Sequence, residues 1–205
     1  NRTAEEVAEA VAAVYGELVA SLEENGVEWI QFDEPALVMD MTAKDISLFQ
    51  KLYKQILASK KAAKCLLQTY FGDIRDCYTQ VMELAFDGIG LDFVEGEKSL
   101  ELVLKQGFPS GKLLFAGVVN GKNIWRNNYN KTVELVRSLQ AVCPETVIGT
   151  SCSLLHVPYT LDSEEMLSGH QKRYLAFAQE KLAELEELKD ILSAAHTEGN
   201  AAFQE

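Results

Sequence analysis

The chain has 205 residues, 47% of them apolar, and a formal net charge of −12. That length and apolar content suit one folded domain with a sizeable core and argue against disorder. No apolar run approaches the roughly 18–20 residues of a membrane helix, and an acidic surface repels the phosphates of nucleic acid.

The charge sits at the ends. Residues 1–34 carry one basic and nine acidic groups, and residues 161–205 carry four basic and ten acidic, leaving the middle at +2. Both acidic ends read as solvated helix faces. The polar start Asn1-Arg2-Thr3-Ala4-Glu5-Glu6 is unlike a signal peptide, so the expected compartment is the cytoplasm. Cys65, Cys77, Cys143 and Cys152 form no C-x-x-C pair and are expected as free thiols.

In chain order, Thr3 to Glu24 reads as a helix with Val7, Val11, Val14, Leu18 and Leu22 on one face. Thr3 and Glu6 have capping-box spacing, and Gly26 suits the stop. Val27 to Phe32 is a strand that Pro35 closes, because proline cannot donate a ladder hydrogen bond. Between Pro35 and Cys65 only the basic stretch Ser59 to Lys64 is assigned, as a solvated helix end with lysines complementing the dipole. Four further strands follow, Cys65–Phe71, Gly88–Val94, Lys112–Val119 and Thr146–Cys152. The helices between them are expected near Asp73–Ala85, Glu97–Lys105 and Lys131–Val142. A last helix starts near Asp162, with Glu165 at the capping-box position and a buried face of Tyr174, Ala178, Leu182, Leu185, Leu188 and Leu192.

Strand-then-helix repetition with short loops implies right-handed crossovers and a parallel α/β sheet in a single domain over residues 1–205. Five strands do not close a barrel, which takes eight in about 250 residues. The pattern alone leaves a doubly wound sheet and a partial barrel equally open.

Either fold binds ligands at the C-terminal strand ends. Those ends offer Asp33 and Glu34, Thr69 and Tyr70, Asp92, Asn120, and Cys152, Ser153 and His156. Asp33 and Glu34 are adjacent in an extended strand, so only one faces the mouth. Each position has a bland reading: a carboxylate holding a loop, a packed cysteine, a hydrogen-bonded histidine. A Cys152–His156 nucleophilic pair and a zinc site from Cys152, Asp92 and His156 are the chemical alternatives, though the spacing matches no compact zinc motif. Gly88-x-Gly90 lacks a third glycine and opens a strand, so it is no dinucleotide fingerprint.

Several stretches together resemble one family. Gln31-Phe32-Asp33-Glu34-Pro35-Ala36-Leu37 resembles a segment found in both halves of cobalamin-independent methionine synthase (5-methyltetrahydropteroyltriglutamate–homocysteine methyltransferase). Thr69-Tyr70-Phe71-Gly72, Ala116 to Arg126, Ser151 to Pro158 and Leu175 to Leu185 resemble its N-terminal half, in order and over nearly the whole chain. The resemblance implies a piece of an N-terminal (β/α)8 barrel, supplying strands four to eight and a long C-terminal helix, as a truncated piece or proteolytic remnant. The whole enzyme would transfer a methyl group from 5-methyltetrahydrofolate polyglutamate to homocysteine, using zinc in its C-terminal barrel.

Laid on that C-terminal pattern, the His-x-Cys strand reads Leu67-Gln68-Thr69-Tyr70-Phe71, the Glu ligand falls at Asp92 and the later Cys at Cys152. The proton-donor histidine falls near Asn120 and a folate-contacting Glu near Met39; only Asp33 and Cys152 are unchanged. The resemblance therefore implies a worn mouth of Asp33, Asp92, Asn120 and Cys152, with no catalytic residue, metal or cofactor of its own. The family's lysines for the folate glutamate tail would lie upstream. The expected role is structural and folate-assisting; the alternatives are a non-catalytic ligand-binding or interaction module and a small α/β enzyme using Asp33 and Cys152. Open strand edges at Val27–Phe32 and Thr146–Cys152 point to self-association.

Overall fold

The computed structural model describes residues 3–194. Five strands, β1 (Trp29–Asp33), β2 (Lys64–Gln68), β3 (Gly88–Asp92), β4 (Leu113–Val119) and β5 (Thr146–Thr150), form one sheet in the order β1-β2-β3-β4-β5. Every neighbouring pair is parallel. The helices are α1 (Ala4–Glu24), α2 (Ala43–Leu57), α3 (Tyr78–Met82), α4 (Ser99–Gln106), α5 (Tyr129–Gln140), α6 (Gly169–Lys172) and α7 (Ala178–Ala194).

Sequential order with right-handed crossovers places the covering helices on one face of the sheet. Ile30, Phe32, Cys65, Leu67, Ile89, Leu91, Leu114 and Ala116 point toward the helices and form the core with Tyr53, Val81, Val103 and Val136. The other face is concave. Trp29 on β1 meets Phe115 on β4 edge-on, with ring centroids 5.8 Å apart. Three strand spacings on a flat sheet are about 14 Å, so these rings converge because the sheet curls. Glycine permits it: a Cβ at Gly88 would lie 2.8 Å from the Phe115 ring, and one at Gly90 would lie 2.0 Å from the Gln68 amide. The sheet is thus a section of barrel wall rather than a doubly wound sheet, which would carry helices on both faces.

The capping box of Thr3 with Glu6 forms as the spacing implies, and Gly26 follows the helix at φ 81°. Five other points need correction. The face of α1 that packs on α2 is Ala12, Gly16 and Val19, whereas Val7, Val11, Val14 and Leu18 are exposed. Small residues let the two helices approach closely, and a Cβ at Gly16 would meet the Ser59 hydroxyl at 2.6 Å. The second correction is α2 itself, unassigned from the sequence although Thr42 and Asp45 make a capping box and Phe49, Tyr53 and Ile56 repeat on one face. The third is α3, a five-residue helix, because Asp73 binds Arg75 and the Lys98 amide and holds the preceding segment as a turn.

The fourth concerns the last helix, which begins at Ala178, not near Asp162. Asp162 lies in a 3-10 turn, and the nearby capping box is Ser168 with Gln171 on α6. Leu188 is buried as expected and Leu185 and Leu192 partly so, but Tyr174 and Leu182 are exposed and Lys181 and Glu184 are buried in their place. The basic stretch also differs. Lys60 is mostly buried and its ammonium pairs with Asp87, while the Lys61, Ala62 and Ala63 amides donate to Glu23.

Candidate functional site

The C-terminal ends of the strands form a mouth to which every strand contributes. At the end of β1 the backbone alternation sends Asp33 toward the concave side, where it accepts a hydrogen bond from the Gln31 amide at 2.7 Å. Glu34 turns the other way and accepts from the Tyr53 hydroxyl of α2. Burial and this bond push the Tyr53 phenol far above its ordinary range. Tyr70, after β2, is raised by burial and then by the Asp33 charge and hydrogen bond.

Asp92 closes β3 and is buried. Its two oxygens accept the backbone N–H groups of Phe71 at 2.9 Å, Val94 at 2.8 Å and Glu95 at 2.9 Å. Burial raises its pKa against the pull of those three bonds. Asn120 follows β4 and accepts from the Lys122 and Asn123 amides at 2.8 and 2.9 Å, forming a tight turn. Cys152, after β5, is buried against Gly121, where a Cβ would lie 2.9 Å from its sulfur. Burial pushes the Cys152 thiol up, the opposite of an activated nucleophile. His156 is exposed and packs edge-on against Phe71, 5.7 Å between centroids.

The residue the sequence reading missed is Phe71. It is the sole described non-glycine residue with positive φ, at 74°, a conformation costing about 1–3 kcal/mol. Its amide is fixed by Asp92, and its ring carries His156 on one side and the Lys122 ammonium at 5.2 Å. Lys122 in turn pairs with Glu95 at 2.7 Å, which raises its pKa. Phe71 thereby ties together the loops after β2, β3, β4 and β5. Only the backbone angle discloses this, and no residue pattern signals it.

A second cluster lies behind the loop after β4. Trp125 pairs with Leu175 in an antiparallel bridge. The Lys181 ammonium donates to the Trp125 carbonyl at 3.1 Å, and Glu184 accepts from the Asn127 amide at 2.9 Å. The other Glu184 oxygen is buried without a partner. Among the described residues, no group of three or more His, Cys, Asp or Glu side chains could hold a metal ion, and no helix is long and apolar enough to cross a membrane.

A curled parallel β/α sheet with its polar groups gathered at the C-terminal strand ends defines a section of a (β/α) barrel. Residues 1–144 match the family described as Cobalamin-independent synthase, N-terminal domain, and the chain belongs to that family. It is 52% identical over 181 residues to the 5-methyltetrahydropteroyltriglutamate–homocysteine methyltransferase of Lactococcus lactis subsp. lactis strain IL1403, covering 88% of this chain and 24% of the relative. The corresponding protein of Campylobacter jejuni strain 81-176 is 48% identical over 190 residues, covering 93% of this chain and 25% of the relative. The chain therefore spans about a quarter of the length of these relatives. A B12-independent methionine synthase from Shewanella sp. W3-18-1, solved with selenomethionine, superposes with TM-score 0.67 at 17% identity, covering 94% of this chain and 57% of that one. A putative vitamin-B12 independent methionine synthase from Listeria monocytogenes gives TM-score 0.68 at 12% identity, over 94% and 56%. The five strands thus match part of a methionine synthase barrel.

Proposed function

We propose that the chain is the later part of the N-terminal barrel, strands four to eight, of a cytoplasmic methyltransferase. The whole enzyme moves a methyl group from 5-methyltetrahydrofolate polyglutamate to homocysteine. In this reading the chain is structural and folate-assisting and performs no chemistry itself. The observation that carries it is the 52% identity over 181 residues to a named homocysteine methyltransferase.

The mouth supports the non-catalytic part of the reading. Zinc needs at least three protein donors with free lone pairs. The residues present do not fit one: Asp92 spends both oxygens on backbone amides, Asn120 holds its own turn, and the Cys152 thiol is packed beneath Gly121. Asp33 remains the one exposed carboxylate of the four expected mouth residues.

The test is a homocysteine methylation assay on the isolated chain, with and without added zinc, together with metal analysis. The expected result is no turnover in either condition and zinc far below one equivalent. Turnover, or near-stoichiometric zinc lost on Cys152→Ser, overturns the reading.

A further inference from the structure

The segment leading out of β2 is anchored at both ends. Thr69 is buried and donates its amide and its hydroxyl to the Gly90 carbonyl at 3.0 and 2.8 Å. Asp73 is buried and holds Arg75 and the Lys98 amide. Between these anchors lie Tyr70, Phe71 and Gly72, none of them buried. Phe71 stands at φ 74°, a conformation that a residue with a side chain resists. Its amide donates to Asp92 Oδ2 at 2.9 Å.

The two oxygens of Asp92 are not equivalent. Oδ1 accepts two amides, Val94 at 2.8 Å and Glu95 at 2.9 Å, whereas Oδ2 accepts that of Phe71. A proton reaching this carboxylate settles on Oδ2, where it displaces one bond instead of two. That oxygen then turns from acceptor to donor and faces another donor, the Phe71 N–H. The loop after β3 keeps both of its bonds. Gly96 packs the same loop on the Asp92 backbone, where a Cβ would lie 2.2 Å from the Asp92 carbonyl oxygen.

The direction of the proton linkage follows from the same bonds. The Phe71 bond lowers the Asp92 pKa, so the latched form binds a proton less tightly than an unlatched form with the carboxyl still buried. Acid therefore favours unlatching. Burial acts the other way on the carboxyl and brings its protonation to a pH at which exposed carboxylates are still ionised. The neighbouring charges do not reverse this. Glu95 also raises the Asp92 pKa. Lys122, after β4, is paired with Glu95, and the Cys152 thiol, after β5, is pushed up and stays neutral. His156 reaches the latch through the Phe71 ring.

We propose that the Asp92–Phe71 bond is a proton-operated latch on the mouth. One proton on Asp92 Oδ2 breaks the bond and frees residues 70–72, and the Phe71 ring then leaves Lys122 and His156. The loops after β4 and β5 loosen with it, while the loop after β3 stays in place. The device goes beyond the methyltransferase reading and is measured without substrate, so either can fail alone.

Hydrogen exchange of the full chain, read by mass spectrometry between about pH 7 and pH 4 and corrected for intrinsic exchange, tests the latch. Protection in peptides spanning 69–73, 121–126 and 152–158 should fall about tenfold or more on acidification, while 93–97 and the strands keep theirs. Asp92→Asn sets an NH2 group against the Phe71 N–H. It should show the acid pattern already at neutral pH, with no further response. Phe71→Gly keeps the backbone bond without the strain or the ring, so acid should no longer loosen 121–126 and 152–158. His156→Asn should leave the response of 69–73 intact. If Asp92→Asn does not fold, the wild type against Phe71→Gly decides by itself. Unchanged protection at 69–73, loss spread over the strands or shared by 93–97, an Asp92→Asn chain that responds like the wild type, or a response abolished by His156→Asn overturns the proposal.

Discussion

Glu23 lies near the end of α1 and points at three consecutive amides. It accepts from Lys61 at 2.8 Å, Ala62 at 2.9 Å and Ala63 at 2.6 Å, leading the chain into β2. Those bonds, the Ala63 one foremost, hold its carboxyl below the ordinary carboxylate range. A carboxyl whose folded pKa is depressed contributes stability that is present above its unfolded value and lost as pH falls through the folded one. Glu23→Gln should therefore lower stability at neutral pH and flatten the decline on acidification below about pH 4.3. Urea midpoints across pH 2–7 for both proteins check this, and parallel curves would refute it. Asp92 behaves oppositely at the mouth, since burial raises its carboxyl while three amides still require its oxygens. Both carboxylates are spent on loop geometry, Glu23 from a helix end and Asp92 from a strand end.

At the scale of elements, the five strands were legible because buried parallel strands read as short apolar runs closed by turn residues. Helix faces were less so. α1 carries two apolar stripes, and the bulkier one is not the one that packs on α2. α2 was legible in principle, through Thr42, Asp45 and the Phe49–Tyr53–Ile56 spacing. On α7 the apolar periodicity selected Leu182, yet Lys181 and Glu184 are the fully buried pair. Their partners are backbone groups of the loop after β4, which no side-chain pattern announces. Of the mouth, Asp33, Asp92, Asn120, Cys152 and His156 lie at or just after the strand ends where the sequence places them, while the positive φ of Phe71 and its contact with Lys122 had no sequence signal. Burial lowers the Lys181 pKa and raises that of Glu184; each charge partly offsets this for the other, and Arg126, whose Nε lies 3.6 Å from Glu184, also favours the carboxylate. Lys181→Met alone removes one of the two cations that favour the buried Glu184 carboxylate, together with the ammonium donor to the Trp125 carbonyl, and should cost about 3 kcal/mol. Lys181→Met with Glu184→Gln removes both charges and should recover most of that loss. Chemical denaturation of the single and double variants measures the coupling; additive losses would show that the two residues act separately.

At the scale of the whole molecule, β1 and β5 have no second strand partner among the described residues, and apolar side chains lie beside each edge. Val14 is 62% exposed on α1, and Val147 is 41% exposed on β5. Such edges pair with other chains unless something covers them. A contact between β1 of one copy and β5 of another joins two different surfaces, and heterologous contacts that do not close run on into open assemblies. The helices α1 and α7 crowd the same seam in that contact, so it should be loose and fail to stop at a dimer. Opposing it is the net charge of −12, carried mostly by the two ends of the chain. Like charges on the approaching surfaces repel, and salt screens that repulsion within about 10 Å at 0.1 M. Self-association of the isolated chain should therefore strengthen as salt rises, the reverse of an assembly held by ion pairs. Sedimentation velocity at several protein concentrations, in about 0.02 M and 0.5 M sodium chloride, tests both parts. The expected mean mass climbs with concentration without a plateau at two copies, and climbs more steeply at high salt. A single monomer boundary under all conditions would mean that the edges are closed by the chain itself, and dissociation by salt would place the contact among the charged helix faces instead.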